Sequence, residues 1–259
     1  MESKLTFAKE LAVEAGQFLR QHLTSELQIE QKSSPSDLVT QLDRQVQEDL
    51  IGKILTRYPQ DHILAEENDV RHDIDDGFVW VLDPIDGTTN FIVQQLDFAV
   101  MLAYFEHGVG QFGVIYDVMG DQLFYGGGAF PVYCNDQILL PFQERSLSMS
   151  LLSINAKLFE GNSWGLADLA AGSLGVRLFG SAAISFSRVL TGRLLAYFSV
   201  ISPWDYAAAA IMGETLGYET LTLDGGKPDF VSKQAVMMIP KSQKDFFLTY
   251  LKEHKERRG

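Results

Sequence analysis

Phe78-Val79-Trp80-Val81-Leu82-Asp83-Pro84-Ile85-Asp86-Gly87-Thr88-Thr89-Asn90 is the stretch on which the fold turns. Its five leading residues are all apolar and lack polar alternation, which predicts a strand buried on both faces. Asp83 and Asp86 follow where that strand is expected to end. Pro84 supplies a fixed φ, and Gly87 allows a tight turn or a close backbone approach. Thr88, Thr89 and Asn90 are residues suited to capping a helix, and N–H groups at such a turn suit an anion such as phosphate. A shorter run, His62-Ile63-Leu64-Ala65, repeats the pattern and ends on Glu66-Glu67. Open α/β sheets place ligands at the strand ends to which these two runs deliver their acids.

Upstream, Leu5, Ala8, Leu11, Ala12, Ala15, Phe18 and Leu19 recur at helical spacing. Residues 32–37 form a polar break around Pro35 and read as a loop. A second helix follows with Val46, Leu50, Ile54 and Leu55 on one face, and it should stop near Tyr58-Pro59. Downstream, strands are expected at 98–105, 113–116 and 122–125, close enough together to pair antiparallel. The second half alternates. Strands are expected at 151–154, 176–179, 194–198, 219–223 and 235–239, with helices at 181–190, from Pro203 to about Leu216, and at 243–253. Gly217 closes the second of these helices. The whole chain, 1–259, reads as one unit whose two subdomains, about 1–145 and 146–259, meet near residues 140–150.

The chain has 259 residues, of which 46% are hydrophobic and 11% aromatic, as in a globular protein. Lys and Arg number 21 against 34 Asp and Glu, a formal net charge of -13. That balance disfavours nucleic acid and anionic membranes as partners. It does not disfavour phosphate, because bound divalent cations reverse the local charge. The single cysteine, Cys134, excludes an intrachain disulfide and a cysteine-based zinc cluster. No apolar stretch reaches the length of a membrane span, and the N-terminus has no apolar leader core, so a soluble cytoplasmic protein is expected.

Each acid has an ordinary explanation alone. Asp83 or Asp86 could be a turn residue, and Glu66-Glu67 a solvated pair. Asp205, after Pro203-Trp204, could simply favour the first turn of its helix. Together they gather like charge with no basic neighbour in sequence, which is costly unless a cation offsets it. Carboxylates and carbonyls are hard oxygen ligands and suit Mg2+ rather than zinc.

Residues 80–91 closely resemble the first signature of the inositol monophosphatase family, and Pro203-Trp204-Asp205-Tyr206-Ala207-Ala208-Ala209 resembles its second. Residues 32–40 with Asp43 resemble its K-S-x-x-D-x-V-T-x-x-D segment, and Ala65-Glu66-Glu67 its G-E-E. Gly180-Ser181-Ala182-Ala183 and Thr191-Gly192-Arg193 also fall in the expected order. The resemblance runs from about residue 5 to about 240. It implies an α+β fold layered αβαβα, of the type shared with fructose-1,6-bisphosphatase. It also implies a Mg2+-dependent, lithium-sensitive phosphomonoesterase and a homodimer. Carried over by position, Glu66, Asp83 and the Ile85 carbonyl hold one Mg2+, and Asp83, Asp86 and Asp205 a second. A third, weaker ion is associated with Glu66. Thr88, oriented by Asp43, helps activate the attacking water. Gly87 and Thr88 receive the phosphate, Ser181, Ala182 and Asp205 face the substrate, and Lys32 lies on a mobile loop near the site.

One departure concerns the substrate. Ser199 falls where the family often has a Glu that contacts the inositol ring, and serine cannot supply a charged acceptor. A small phosphorylated polyol, sugar or nucleotide of the inositol 1-phosphate type is expected. Fructose 1,6-bisphosphate and 3′-phosphoadenosine nucleotides are the alternatives. A non-catalytic binding protein of the same fold would be expected to lack a metal ligand or Thr88, and none is missing.

Overall fold

The computed structural model describes residues 1–23, 28–31 and 38–255. It opens with α1 (Glu2–Gln21), an antiparallel hairpin of β1 (Ile29–Gln31) and β2 (Leu38–Thr40), and α2 (Gln41–Arg57). Then come β3 (His62–Ala65), β4 (Phe78–Asp86), the short helix α3 (Thr88–Val93), β5 (Ala99–Glu106), β6 (Val109–Asp117), β7 (Gln122–Gly127), β8 (Phe130–Cys134) and β9 (Gln137–Ile138). These seven strands form one sheet in chain order, with β3 parallel to β4 and every later pair antiparallel. The second half runs β10 (Leu151–Ile154), α4 (Ala156–Glu160), α5 (Leu166–Ala171), β11 (Gly175–Arg177), α6 (Ala182–Leu190), β12 (Ala196–Ile201), α7 (Pro203–Thr215), β13 (Tyr218–Thr222), β14 (Gln234–Pro240) and α8 (Lys244–Lys255). Its five-stranded sheet has the order β11-β10-β12-β14-β13.

Strand periodicity sorts the core into three apolar layers. Trp80, Leu82, Val100, Leu102, Tyr104, Phe112 and Val114 face α1 and α2. Val79, Val81, Ala99, Met101, Ala103 and Phe105 face the other way and meet α6, α7 and the inner side of β12 and β14. Phe198, Met237 and Ile239 point outward from the second sheet onto α4, α5 and α8. The result is the expected αβαβα layering, and strands buried on both sides explain the unbroken apolar runs. The central layer is tight. A Cβ added at Gly113 of β6 would lie 2.2 Å from the Ala208 carbonyl oxygen of α7. The alanine-rich start of α7 therefore sits almost on the large sheet.

Several local expectations need correction. Strand β4 does not stop at Leu82 but runs on to Asp86. Thr88, Thr89 and Asn90 do not cap a helix. They form the first turn of α3, and Gly87, at φ 87°, is the residue at its N-cap. Leu55 is 36% exposed and leaves the apolar face of α2, which is carried by Leu42, Val46, Leu50 and Ile54. Strand β11 ends at Arg177, so Leu178 and Phe179 are irregular, and β12 begins at Ala196 and extends to Ile201. Among the described residues, no helix is long and apolar enough to cross a membrane. Residues 32–37, including Lys32, lie outside the described residues.

One buried charge pins the outer helix to the sheet. The Lys4 ammonium of α1 lies 2.5 Å from Asp61 Oδ2, which also accepts from Trp80 Nε1 at 2.8 Å. The ammonium sits 4.2 Å from the Tyr104 ring centroid and 4.6 Å from that of Tyr58. Removing one partner of such a pair strands the other charge. Asp61→Ala is thus expected to cost about 3 kcal/mol in urea unfolding, near the lower end for a broken buried pair. A loss below about 1 kcal/mol would class it with ordinary surface pairs instead.

Candidate active site

The acids converge because β4 is bulged. Residues i and i+3 of a regular strand point to opposite faces, so Asp83 and Asp86 should diverge. In the ladder with β5, however, Asp83 pairs with Met101 and Asp86 with Ala99. Three residues on β4 thus advance against two on β5, and the extra residue resets the alternation. Met101 and Ala99 both face the central layer, and Asp83 and Asp86 face it with them. Asp205 reaches the same place from the first turn of α7. Carboxylate oxygens of Asp83, Asp86 and Asp205 all lie within 4.8 Å of one another.

Each acid is held by backbone or hydroxyl donors. Asp83 Oδ1 accepts from the Ile85 N–H at 3.1 Å. Its Oδ2 is buried and has no hydrogen-bond partner. Asp86 takes the start of α6, accepting from the N–H groups of Ala182 at 3.1 Å and Ala183 at 2.9 Å and from Ser181 Oγ. Ser181 is also the N-cap of α6, receiving the Ile184 N–H at 3.1 Å. Asp205 Oδ2 accepts from the Ser202 N–H at 2.7 Å, so the residue is both a helix cap and a member of the cluster. Glu66 follows β3 and hydrogen-bonds to Asp83. Its loop is clamped from α2, where the Gln47 side chain donates to the Glu67 carbonyl and accepts from the Glu67 N–H, each at 2.7 Å.

Asp43 sits on the first turn of α2 and is fully buried. Its Oδ2 accepts from the Thr40 N–H at 2.8 Å and from Thr40 Oγ1 at 2.7 Å, forming a capping box. Its Oδ1 lies 3.0 Å from Thr88 Oγ1, which is also 3.1 Å from the Ile85 carbonyl. One hydroxyl proton serves two acceptors here. Gly87 holds its positive φ with no room for a side chain, because a Cβ would stand 3.1 Å from both the Asp97 carbonyl oxygen and Ser181 Cβ.

The electrostatics match the crowding. Burial, then the charges of Glu66, Asp86 and Asp205, push the Asp83 carboxyl well above the usual range. Burial also raises Asp86, against hydrogen bonds from Ser181, Ala183 and Ala182 that lower it. Burial and the charges of Glu66 and Asp86 push Asp205 up to about 8. A buried oxygen without a partner, set among hard oxygen donors that repel one another, fits a divalent cation such as Mg2+.

A cavity of about 400 Å3 adjoins Asp86 and Asp205. Ser153, Asn155, Ser185, Tyr197 and Ser199 contribute its polar wall, and Ser181 and Ala182 part of its rim. The buried Tyr197 hydroxyl hydrogen-bonds to Ser199 and Ser185. Asn90 braces the site, donating from Nδ2 to the carbonyls of Asp97 at 2.9 Å and Phe179 at 2.7 Å. Gln47 and Tyr197 were not singled out from sequence. Gln47 was findable, since it follows Asp43 by one turn on an otherwise apolar helix face. Phe159 and Trp164 pack against the outer core, and Arg177 is exposed; none of the three lines this cavity.

The layered α+β fold and its cluster of buried acids define a class of enzyme, and the comparisons with known proteins agree on which. Residues 1–256 match the inositol monophosphatase family. The chain is 36% identical to an inositol-1-monophosphatase of Bacillus subtilis over 96% of each chain. It superimposes on inositol monophosphatase-II from Staphylococcus aureus at TM-score 0.87 and 29% identity, covering 98% of this chain and 95% of that one. A second structure, an IMPase/NADP phosphatase complexed with Mg2+ and phosphate, matches at TM-score 0.83 and 28% identity, covering 92% of this chain and 90% of that one. The chain therefore belongs to the inositol monophosphatase family and is an enzyme of the phosphoric monoester hydrolase class.

Proposed function

We propose that the protein is a Mg2+-dependent phosphomonoesterase that hydrolyses a small phosphorylated polyol or sugar by direct in-line attack of water. The observation that carries this reading is the convergence of Asp83, Asp86 and Asp205 around a buried Asp83 oxygen that lacks a partner. Glu66, Asp83 and the Ile85 carbonyl would hold one Mg2+, and Asp83, Asp86 and Asp205 a second. A third ion would associate with Glu66. When bound, Mg2+ supplies charge neutralisation and a water acidic enough to act as a nucleophile near neutral pH. Asp43 holds the Thr88 hydroxyl toward the attacking water. Gly87 and Thr88 receive the phosphate, and Ser181, Ala182 and Asp205 face the substrate. Lys32 belongs to the same reading as a further substrate-facing residue. Lithium inhibition, a homodimer and a cytoplasmic location belong to the same reading.

The cavity favours one substrate type. Apart from Asp86 and Asp205 its lining is uncharged among the described residues, with no lysine or arginine there. A second phosphate, as in fructose 1,6-bisphosphate or a 3′-phosphoadenosine 5′-phosphate, would find no counter-charge in this described lining. A neutral leaving group finds hydroxyls. Phosphate release should therefore require Mg2+, and kcat/KM for small polyol monophosphates should exceed that for bisphosphates by about tenfold or more, equivalent to roughly 1.4 kcal/mol. A panel of inositol 1-phosphate, sugar phosphates, fructose 1,6-bisphosphate and a 3′-phosphoadenosine nucleotide, with and without Mg2+, measures both. Release without metal would sink the mechanism, and a preference for the bisphosphates would sink the substrate class.

A further inference from the structure

Glu66 and Asp205 reach the acid cluster from different parts of the fold. Glu66 stands on the loop after β3, the edge strand of the large sheet, and Asp205 on the first turn of α7. Ala65 pairs with Leu82 in the parallel ladder, so Glu66 and Asp83 are the next residues of their two segments. That ladder does not set the distance from Glu66 to α7.

The loop is closed at its base. The Ala65 N–H donates to the Val70 carbonyl at 3.0 Å, and Asn68 and Asp69 turn the chain with φ of 58° and 51°. From α2, Gln47 holds Glu67 by both of its backbone groups. From the side of α7, Arg71 holds the loop. Its guanidinium donates to the Ala65 carbonyl at 2.5 Å and to the Val70 carbonyl at 3.3 Å. The same group lies 4.7 Å from the Trp204 ring centroid. Trp204 is the residue before Asp205 and packs against the central core. One guanidinium thus touches the residue before Glu66 and the residue before Asp205.

Arginine is suited to this bridge, because its planar group can donate from an edge and stack with a face. The ion pair of Arg71 with Asp69, at 3.3 Å, does not account for the arrangement. Those side chains are 43% and 89% exposed, and pairs so exposed contribute little.

We infer that Arg71 is a positioning residue of the metal site: by joining Ala65 to Trp204 it fixes how far Glu66 stands from Asp205. The inference rests on the Mg2+ reading above, in which both acids are ligands. Arg71 does not line the substrate cavity. A cation acting only through its charge would compete with Mg2+ for the acids, so its removal would tighten Mg2+ binding. A cation acting as a bridge has the opposite sign, because its removal frees two ligands to move apart. Outer groups that orient ligands are worth about 10- to 100-fold in metal affinity, and Arg71, which works through a carbonyl and a ring, belongs near the lower bound.

The test measures Mg2+ binding by isothermal titration calorimetry at pH 8, without substrate. For Arg71→Ala the dissociation constant should rise about tenfold. Arg71→Lys keeps the charge but not the planar fork, and its constant should rise nearly as much. Trp204→Leu should weaken binding as Arg71→Ala does. The double variant should match the weaker single variant within about twofold, because both changes break one bridge. Trp204→Phe keeps a ring and should stay within about threefold of wild type. Asp69→Asn should stay within about twofold. In chelator, Arg71→Ala should melt within about 3 °C of wild type, as an exposed substitution does. A dissociation constant for Arg71→Ala equal to or below that of wild type, wild-type binding in Arg71→Lys, losses that multiply in the double variant, or a larger fall of the melting point in chelator would each overturn the inference. Failure of the wild-type protein to bind Mg2+ would instead overturn the metal reading.

Discussion

Asp86→Asn should leave a folded protein whose Mg2+-dependent phosphate release is lower by about 1,000-fold or more, some 4 kcal/mol of transition-state stabilisation. Two causes act together. The variant removes one of three carboxylates that meet within 4.8 Å, so less charge remains to hold a divalent ion. It also replaces an acceptor-only group with one that carries donors. Both Asp86 oxygens now accept, from the N–H groups of Ala182 and Ala183 and from Ser181. In either orientation the amide NH2 would meet an N–H of Ala182 or Ala183 that it cannot satisfy. Circular dichroism and a thermal melt establish that the variant is folded, and phosphate release at saturating Mg2+ gives the effect. Activity within about tenfold of wild type would show that Asp86 is a cap for α6 and no more.

The second large effect is on stability, and its sign depends on pH. Asp83, Asp86 and Asp205 are all raised by burial, and Asp205 moves from 3.8 to about 8. A carboxyl with a raised folded pKa binds an extra proton in the folded state. Its contribution is fully present below the unfolded value, near 3.8, and is lost as pH rises through the folded value, about 8 for Asp205. In chelator, the acid cluster should therefore destabilise the fold progressively between about pH 4 and pH 8. Mg2+ binds the ionised forms, so its stabilisation should grow over the same range. At a concentration 100 times its dissociation constant, a ligand adds about 2.7 kcal/mol. For a chain of this size that is roughly 5–10 °C in Tm. Melts in chelator and in Mg2+ at pH 5 and pH 8 should show a clearly larger increment at pH 8. Equal increments, or none, would mean that the cluster does not bind the ion through its charged forms.

Much of this architecture could be read before the structure, because the signals involved are local. The apolar runs at 62–65 and 78–82 are strands since both their faces are covered, and the alanine-rich segment after Pro203 is a helix. What escaped depends on contacts distant in the chain. Read from sequence, the strand ends at Leu82 and offers no bulge to find; a regular strand running on to Asp86 would set Asp83 and Asp86 on opposite faces, and only the pairing with β5 reverses that. Helices α4 and α5 are too short to show a period, and they are held by Leu158, Leu166 and Leu169 packing on the second sheet. Strands β8 and β9 are short pieces at the end of the large sheet, with little alternation to read. In the site, the acids stood out because charge at the end of an apolar run is conspicuous. Tyr197 did not, because an aromatic residue on a buried strand reads as core until its hydroxyl is seen meeting Ser185 and Ser199.

The bulge in β4 also makes chain length a catalytic variable. Deleting Pro84 or Ile85 would remove no acid and no metal ligand side chain. It would restore two-against-two pairing with β5 and leave both aspartates on the central face as i and i+2, but it would draw them together by one residue's rise and undo the local turn in which the Ile85 N–H meets Asp83 Oδ1 and the Ile85 carbonyl meets Thr88 Oγ1. Between these two acids the count of residues matters as well as their type, so an in-frame indel in this stretch carries a cost that a comparison of residue types alone would miss.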